Sequence, residues 1–448
     1  MNTGLSFLMA AKRCEMAELA QLARTSELVN ATGRLVHALQ RERGLSNLTL
    51  ASTSPPQTPA LQTALQNQMA ENLALEQDLR ACFNQLDTEC LQSGHGARLF
   101  SRIAYVLHGL DALPRLREHV CERRWTAQRA TAAYVKLVAG LLAVVFEAAD
   151  SASDPEVSRT LVALFNLMQG KELAGQERAT GSALLVAGTA SSAGQQHLLH
   201  LIDSQERCLQ VFNDFVPTAV RDMAHTQANQ PAHAHNLAEL ERLRRIVCTA
   251  SEGNPLDSTL SPTWFECCTR RMDGMRAVEE QLAHDLVALC EAQMAAAQRE
   301  LQTWETLQAD PQALPNPAAH PQGDFFESTL SPHFHALGPR SHAVTQTGLP
   351  PSESGQAPQV GRSVLDLVHE QSQRLHAMAA ELDTVRASLN ERKVIERAKG
   401  LLMAHRQLGE DEAHKLLRQT AMAQNRRLVD VAEALLSMAS VLPSAPPR

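Results

Sequence analysis

ERKVIERAKGLLMAHRQLGEDEAHKLLRQTAMAQNRRLVDVAEALLSMA, residues 391–439, reads as three short helices, and the rest of the chain is best approached from it. Two breaks divide the stretch. Gly409, followed by Glu410, Asp411 and Glu412, ends one helix and sets acids at the start of the next, where the helix dipole favours negative charge. Gln424 to Arg427 makes the second break. At about 100° per residue, Val394, Ile395, Ala398, Leu401 and Leu402 share one side of the first helix, and Arg392, Lys393, Arg397 and Lys399 take the other. Ala413, Leu416, Leu417 and Thr420 face inward on the second helix, leaving Lys415 and Arg418 outward. Leu428, Val431, Ala432 and Leu435 close the core from the third, which predicts a compact three-helix unit over 391–441.

The unit is locally basic. Residues 391–427 hold nine Lys/Arg against five Asp/Glu, in a chain whose net charge is −8. An excess of cations on one face is the footprint of a nucleic-acid binder, although solvated faces of ordinary helices look the same. Gly400, mid-helix on the basic side, should cost about 1 kcal/mol relative to Ala. It either lets a phosphate backbone or flipped base approach, or relieves a helix–helix contact.

Upstream, Val364, Val368, Gln371, Leu375, Met378, Leu382, Val385 and Leu389 alternate at spacings of three and four. This is a coiled-coil seam over 361–390, and its alternative is an amphipathic helix packed on its own domain. Residues 309–360, rich in Pro, Gly, Ser and His without apolar periodicity, read as a flexible linker. From 14 to 308 the pattern is almost continuously helical, broken at TSPPQTP (53–59), SASDP (151–155), NQPAHAHN (229–236) and EGNPLDSTLSP (252–262), as in a long helical bundle.

Composition agrees with an all-α chain. Aromatics are 4% of 448 residues, and Leu, Ala and Gln replace the Val, Ile, Tyr and Phe that a sandwich or barrel would want. The net negative charge excludes a chain that coats nucleic acid along its length. The N-terminus lacks a basic start followed by a long apolar run, and the greasiest stretch, Leu137 to Phe146, is shorter than the ~20 residues of a membrane span. The expectation is a soluble cytoplasmic protein with no membrane partner. Nine cysteines without a C-x-x-C spacing read as reduced thiols.

ERKVIERAKGLLM, EDEAHKLLRQTAM and LVDVAEALL closely resemble the signature of the ANTAR domain, without a gap through all three helices. The resemblance implies a three-helix RNA-binding module of transcription antiterminators that acts as a homodimer through the preceding helix. Such modules bind tandem hairpin loops in leader mRNA and prevent a terminator from forming, in keeping with the general preference of proteins for unstacked RNA loops. Carried over by motif, the RNA-contacting residues are Arg392, Lys393, Arg397, Lys399, Arg418, Met422 and Arg426.

Within the bundle, LQRERGLSNLTL (39–50) and AGQERATGSALL (174–185) each place Glu-Arg inside an apolar helix. Arg43 and Ser46 fall on the stripe of Leu28, Val29, Leu35, Val36 and Leu39, and Arg41 points away. In ELERLRRIVCTA (239–250), Arg244 joins the inner face of Leu237, Leu240, Leu243 and Val247, and Arg242 and Arg245 do not. A buried arginine requires an anionic partner. Two kinds meet that need: a carboxylate such as Glu42, Glu172 or Glu177, or a small planar oxyanion clamped by both guanidinium forks.

RERGLS, KELAGQERATGS and ERLRR resemble the nitrate- and nitrite-sensing (NIT) domain, an all-helical sensor that binds its anion between helices. The resemblance implies nitrate or nitrite as effector, no cofactor, and anion binding by Arg43 and Arg244 with Arg178 in support. The choice among Arg242, Arg244 and Arg245 stays open. No P-loop, G-x-G-x-x-G, G-x-S-x-G or H-E-x-x-H is present, so an enzyme is not expected. The pairs His233/His235 and His333/His335 lie in a turn or linker without nearby carboxylates or thiols, and no metal site is assigned to them. The chain thus reads as a nitrate/nitrite-responsive antitermination regulator. Its rival is a ligand-sensing helical protein that signals by protein–protein contacts through the heptad helix.

Overall fold

A computed structural model describes residues 4–51, 58–86, 96–250, 255–309, 364–406, 408, 410–424 and 426–441. Twelve α-helices account for nearly all of them: α1 (Gly4–Ala51), α2 (Thr58–Asn84), α3 (Gly96–Cys121), α4 (Ala127–Ser151), α5 (Pro155–Ala187), α6 (Ser192–Phe215), α7 (Thr218–Ala228), α8 (Pro231–Thr249), α9 (Ser261–Ala309), α10 (Val364–Arg406), α11 (Glu410–Ala423) and α12 (Leu428–Val441). The fold is all-α. Its one β-type contact among the described residues is the isolated bridge between Thr189 and Pro255.

Helix ends follow local chemistry. Asp154 accepts a hydrogen bond from the Val157 amide and Pro155 fills the first position of α5, whose missing N–H costs nothing there. Gly188, at φ 66°, ends the same helix in the left-handed region that glycine enters without a Cβ penalty. Thr126 and Ser191 cap α4 and α6 in the same way as Asp154 caps α5.

Two compact units result, with α1, α9 and α10 contributing to both. The smaller one comprises residues 1–18 and 293–379. Its described part packs Leu5, Leu8 and Met9 on Trp304, and the fully buried Lys12 is held by Glu15 at 2.8 Å and Glu300 at 2.5 Å. The larger unit, residues 19–292 and 380–448, is organised on α5. That helix is buried nearly all round, packs most extensively on α6, and carries Lys171, Glu172 and Glu177 among its interior residues.

The C-terminal core forms as the residue pattern requires, from Ala398, Leu402, Ala413, Leu417, Ala421, Val431 and Ala432, with Val394, Ile395, Leu416, Leu428 and Leu435 packed against it. The heptad stretch and the first helix of that core are one uninterrupted helix, α10. Leu382, Val385 and Leu389 are buried within this chain, whereas Leu375 is 53% exposed.

Several local expectations shift. Residues 231–236 of NQPAHAHN belong to α8, because Pro231 starts a helix there instead of prolonging a turn. Leu237 is exposed, and Asn236 takes the inward place, donating to the Cys267 carbonyl at 3.0 Å. The apolar run around Leu137 sits in a 25-residue helix, α4, which is long and apolar enough to cross a membrane. Here its Val138, Leu141, Leu142, Val144 and Val145 are buried in the bundle. Residues 310–360 of the expected linker, and Gly409, lie outside the described residues.

Trp264 is fully buried on α9 with its ring against Gly181 of α5, where an added Cβ would sit 2.1 Å from two ring carbons. Because the indole cannot retreat, Gly181→Ala should lower stability by about 1–3 kcal/mol, read as a lower urea midpoint. An unchanged midpoint would show that this contact is looser than the structure draws it.

Candidate functional site

Burial of charge dictates the interior of the large unit. On α1, Glu42 and Arg43 are adjacent and both buried, so they face different neighbours. Glu42 is gripped by Arg117 of α3 through two 2.8 Å hydrogen bonds and accepts another from Tyr134 of α4 at 2.8 Å. Arg43 crosses to α5 and pairs bidentately with Glu172, which also accepts from Gln40 at 2.8 Å and Gln176 at 3.0 Å. The inward arginine therefore holds a carboxylate, one of the two kinds of partner open to it.

One turn further along α5, Glu177 repeats the arrangement. Arg244 of α8 donates Nε and Nη2 to it at 2.7 and 2.8 Å and also reaches Glu241 at 2.7 Å. Burial opposes the Arg244 charge, but the Glu177 hydrogen bonds outweigh it and raise its pKa above the usual arginine value. Arg271 of α9 approaches the same carboxylate at 3.6 Å and donates to Gln205 at 2.6 Å. Arg242 and Arg245 are exposed.

Arg178 differs from both. Its guanidinium lies 4.5 Å over the Phe265 ring and donates to the Thr269 hydroxyl at 2.8 Å. Burial, and then the nearby positive charge of Arg43, lower its pKa.

Sequence reasoning missed two arginines that are half-buried and paired with interior carboxylates, Arg117 and Arg271. Arg117 shares the helical spacing of Leu113, Leu116 and Val120, and Arg271 that of Cys268 and Met275, all buried. Those stripes carried the signal. The pairing of Lys171 with Glu279 was also missed, since nothing local marks either as a partner.

The C-terminal core lays its basic side on the bundle. Lys393 pairs with Asp150 at 2.6 Å and lies 5.7 Å over the Phe146 ring. Arg392 donates to the Asn166 side chain at 3.3 Å and stacks 4.8 Å over Phe165. Arg418 pairs with Asp203 at 2.7 Å, Lys415 donates to Gln196 at 3.2 Å, and Arg386 reaches the Ala152 carbonyl at 3.3 Å. Lys399, expected on the open basic face, is instead buried and held by Glu396 at 3.0 Å. Arg397, Met422 and Arg426 remain exposed. A Cβ at Gly400 would meet nothing within 4 Å, so no helix contact accounts for that glycine.

His233 and His235 sit in the first turns of α8, and His333 and His335 lie outside the described residues. Among the described residues no three His, Cys, Asp or Glu side chains gather as a metal site.

At the docked face the rings of His200 and His414 are 5.0 Å apart. Burial, then Arg207, His200, Lys399 and Arg418, push the His414 pKa down to about 4. Release would remove Arg207 and His200 from His414 and raise its pKa, so the docked state binds fewer protons. Docking should therefore weaken as pH falls from neutral toward 4. Protease susceptibility of the 380–441 region should rise over that interval, and His414→Gln should flatten the rise. A flat wild-type profile would mean that the ring does not leave its site.

Residues 34–287 match the family described as nitrate and nitrite sensing, and residues 383–436 match the ANTAR domain. The nitrate regulatory protein of Klebsiella oxytoca is 30% identical over 432 residues, covering 96% of this chain and 93% of that protein. The solved structure of the NasR transcription antiterminator superposes with a TM-score of 0.57 at 27% identity, covering 97% of this chain and 99% of the other.

Proposed function

The chain belongs to the nitrate and nitrite sensing family, joined here to an ANTAR domain, and from that premise we propose that it is a nitrate- or nitrite-responsive transcription antitermination regulator held silent by its own sensor. It is a regulator and not an enzyme, and it works in the cytoplasm, where leader mRNA is made. The effector is the anion itself, and no cofactor takes part.

The observation that carries this reading is the position of α5 between two sets of contacts. Phe165 and Asn166 hold Arg392 of the basic module, and Glu172 and Glu177 hold Arg43 and Arg244. Residues 166 and 172 are about 9 Å apart along the helix axis at 1.5 Å per residue. Glu172 and Glu177 act as internal anions. Nitrate or nitrite competes with them for Arg43 and Arg244, with Arg178 in support, and a displaced carboxylate forces α5 to adjust. The change reaches Arg392 through the same helix. Linkage then requires that the released state bind the anion more tightly than the docked one.

Release frees Arg392, Lys393 and Arg418 to join Arg397, Met422 and Arg426 on the hairpin loops, while Lys399 stays with Glu396 until that turn opens. It also uncovers Leu382, Val385 and Leu389, so that homodimer pairing along α10 and RNA binding become coupled. The protein–protein alternative would use the same seam, so RNA binding is what separates the two readings.

Titration of the full chain with a leader RNA carrying tandem hairpins tests the proposal. Nitrate or nitrite should raise affinity about tenfold or more, and Arg43→Ala should abolish that response. Asp203→Asn should raise the anion-free affinity a few-fold, since such a partly exposed pair contributes up to about 1 kcal/mol. RNA binding in neither condition would overturn the reading, and RNA binding indifferent to the anion would overturn the sensor part of it.

Glu172→Gln checks the competition directly. It strands Arg43 in the interior, which should cost about 3–5 kcal/mol, and nitrate should recover more of the melting temperature in this variant than in the wild type. Equal nitrate shifts in both proteins would show that Glu172 is not the group displaced.

A further inference from the structure

The cleft between α3 and α4, far along the chain from the arginines that hold Glu172 and Glu177, has a cavity of about 530 Å³. Its floor is apolar: Leu113, Leu116 and Leu137 are buried there. Its rim is basic, with His108, Arg115, Arg129 and Lys136 exposed around the opening and no carboxylate among the lining residues. Asp111 of α3 pairs with Arg80 at 2.7 Å. One wall is the Trp125 ring, with His119 stacked on it at 4.9 Å and Arg129 lying 4.5 Å over it. Nδ1 of His119 is buried and accepts or donates no hydrogen bond.

A volume of this size is typical of small-ligand sites, which combine an apolar lining with a few polar groups that fix orientation. Three cations, Arg115, Arg129 and Lys136, around an apolar floor with no carboxylate in the lining select a negative head attached to a greasy body. Single-stranded nucleic acid fits the charge less well, since base binding needs open aromatic faces and Trp125 is already stacked. Nitrate and nitrite fit the floor poorly, because a small hydrated ion gains nothing from buried leucines.

We propose that the α3–α4 cleft is a second ligand site, which takes an amphipathic organic anion: an aromatic or branched apolar body bearing one carboxylate or sulfonate. The body lies on Leu113, Leu116 and Leu137 beside Trp125, and the head sits among Arg115, Arg129 and Lys136. The nitrate reading is not required for this site, and the two stand or fall separately.

The probe is anilinonaphthalene sulfonate, titrated into the full chain and followed by its own emission and by quenching of tryptophan. One equivalent should bind with blue-shifted emission, and Trp125→Phe should remove most of the tryptophan quenching. Arg129→Gln with Lys136→Gln should weaken binding at least tenfold while the helical circular dichroism is unchanged, and Ala133→Phe, which fills the cleft, should abolish it. Uncharged N-phenylnaphthylamine should bind at least tenfold more weakly, and Arg43→Ala should leave the titration as it was. Binding that ignores these cleft variants, or equal affinity for the uncharged probe, would overturn the proposal. Displacement of the probe by single-stranded RNA, or its loss as protein concentration rises, would assign the face to nucleic acid or to a second copy of the chain and overturn it equally.

Discussion

Two carboxylates buried on one helix constrain most of this molecule. Glu172 and Glu177 lie inside α5 at 3% and 1% exposure, and an unpaired charge there would cost several kcal/mol. Each is therefore met by an arginine from a distant helix: Arg43 of α1 and Arg244 of α8. The pairs fix the rotation of three helices about their own axes. Under the proposed function, these interior carboxylates are the groups with which a planar oxyanion competes for the two arginines.

The same helix sets the output. α5 carries its charged residues toward α1 and α8 and presents Phe165 and Asn166 to the basic module. The module's cations are held by modest interactions, one ion pair at Asp150, another at Asp203, and two stacked rings. None is strong alone. Under the proposed release, a shift of a few kcal/mol is enough to move the population from docked to released. In the proposed reading, docking covers Arg392, Lys393 and Arg418, so those residues cannot serve the bundle and an RNA at once.

Much of this was legible from residue spacing. The three-helix core, the inward placement of Arg43 and Arg244, and the exposure of Arg41, Arg242 and Arg245 all follow from helical periodicity, which depends on neighbours three and four apart. Expectations failed where tertiary packing overrode it. Lys399 falls on the basic side of its helix by angle but folds back on Glu396 and is buried. Leu237 gives up its inward place to Asn236, whose amide finds the Cys267 carbonyl. Leu382, Val385 and Leu389 of the α10 seam are buried within the chain, a placement that heptad spacing alone does not reveal.

The sequence by itself determined the helices, the local excess of positive charge near the C-terminus, and which arginines point inward, because each is a property of residues within a turn or two of one another. Only the tertiary structure decided which carboxylate each arginine meets. Arg43 and Glu172 are 129 residues apart and Arg244 and Glu177 are 67 apart, and no periodicity connects residues so distant. The facing of the basic module was decided at the same level. A cationic surface is written in composition, but whether it looks toward solvent or toward Asp150 and Asp203 depends on how the helices pack.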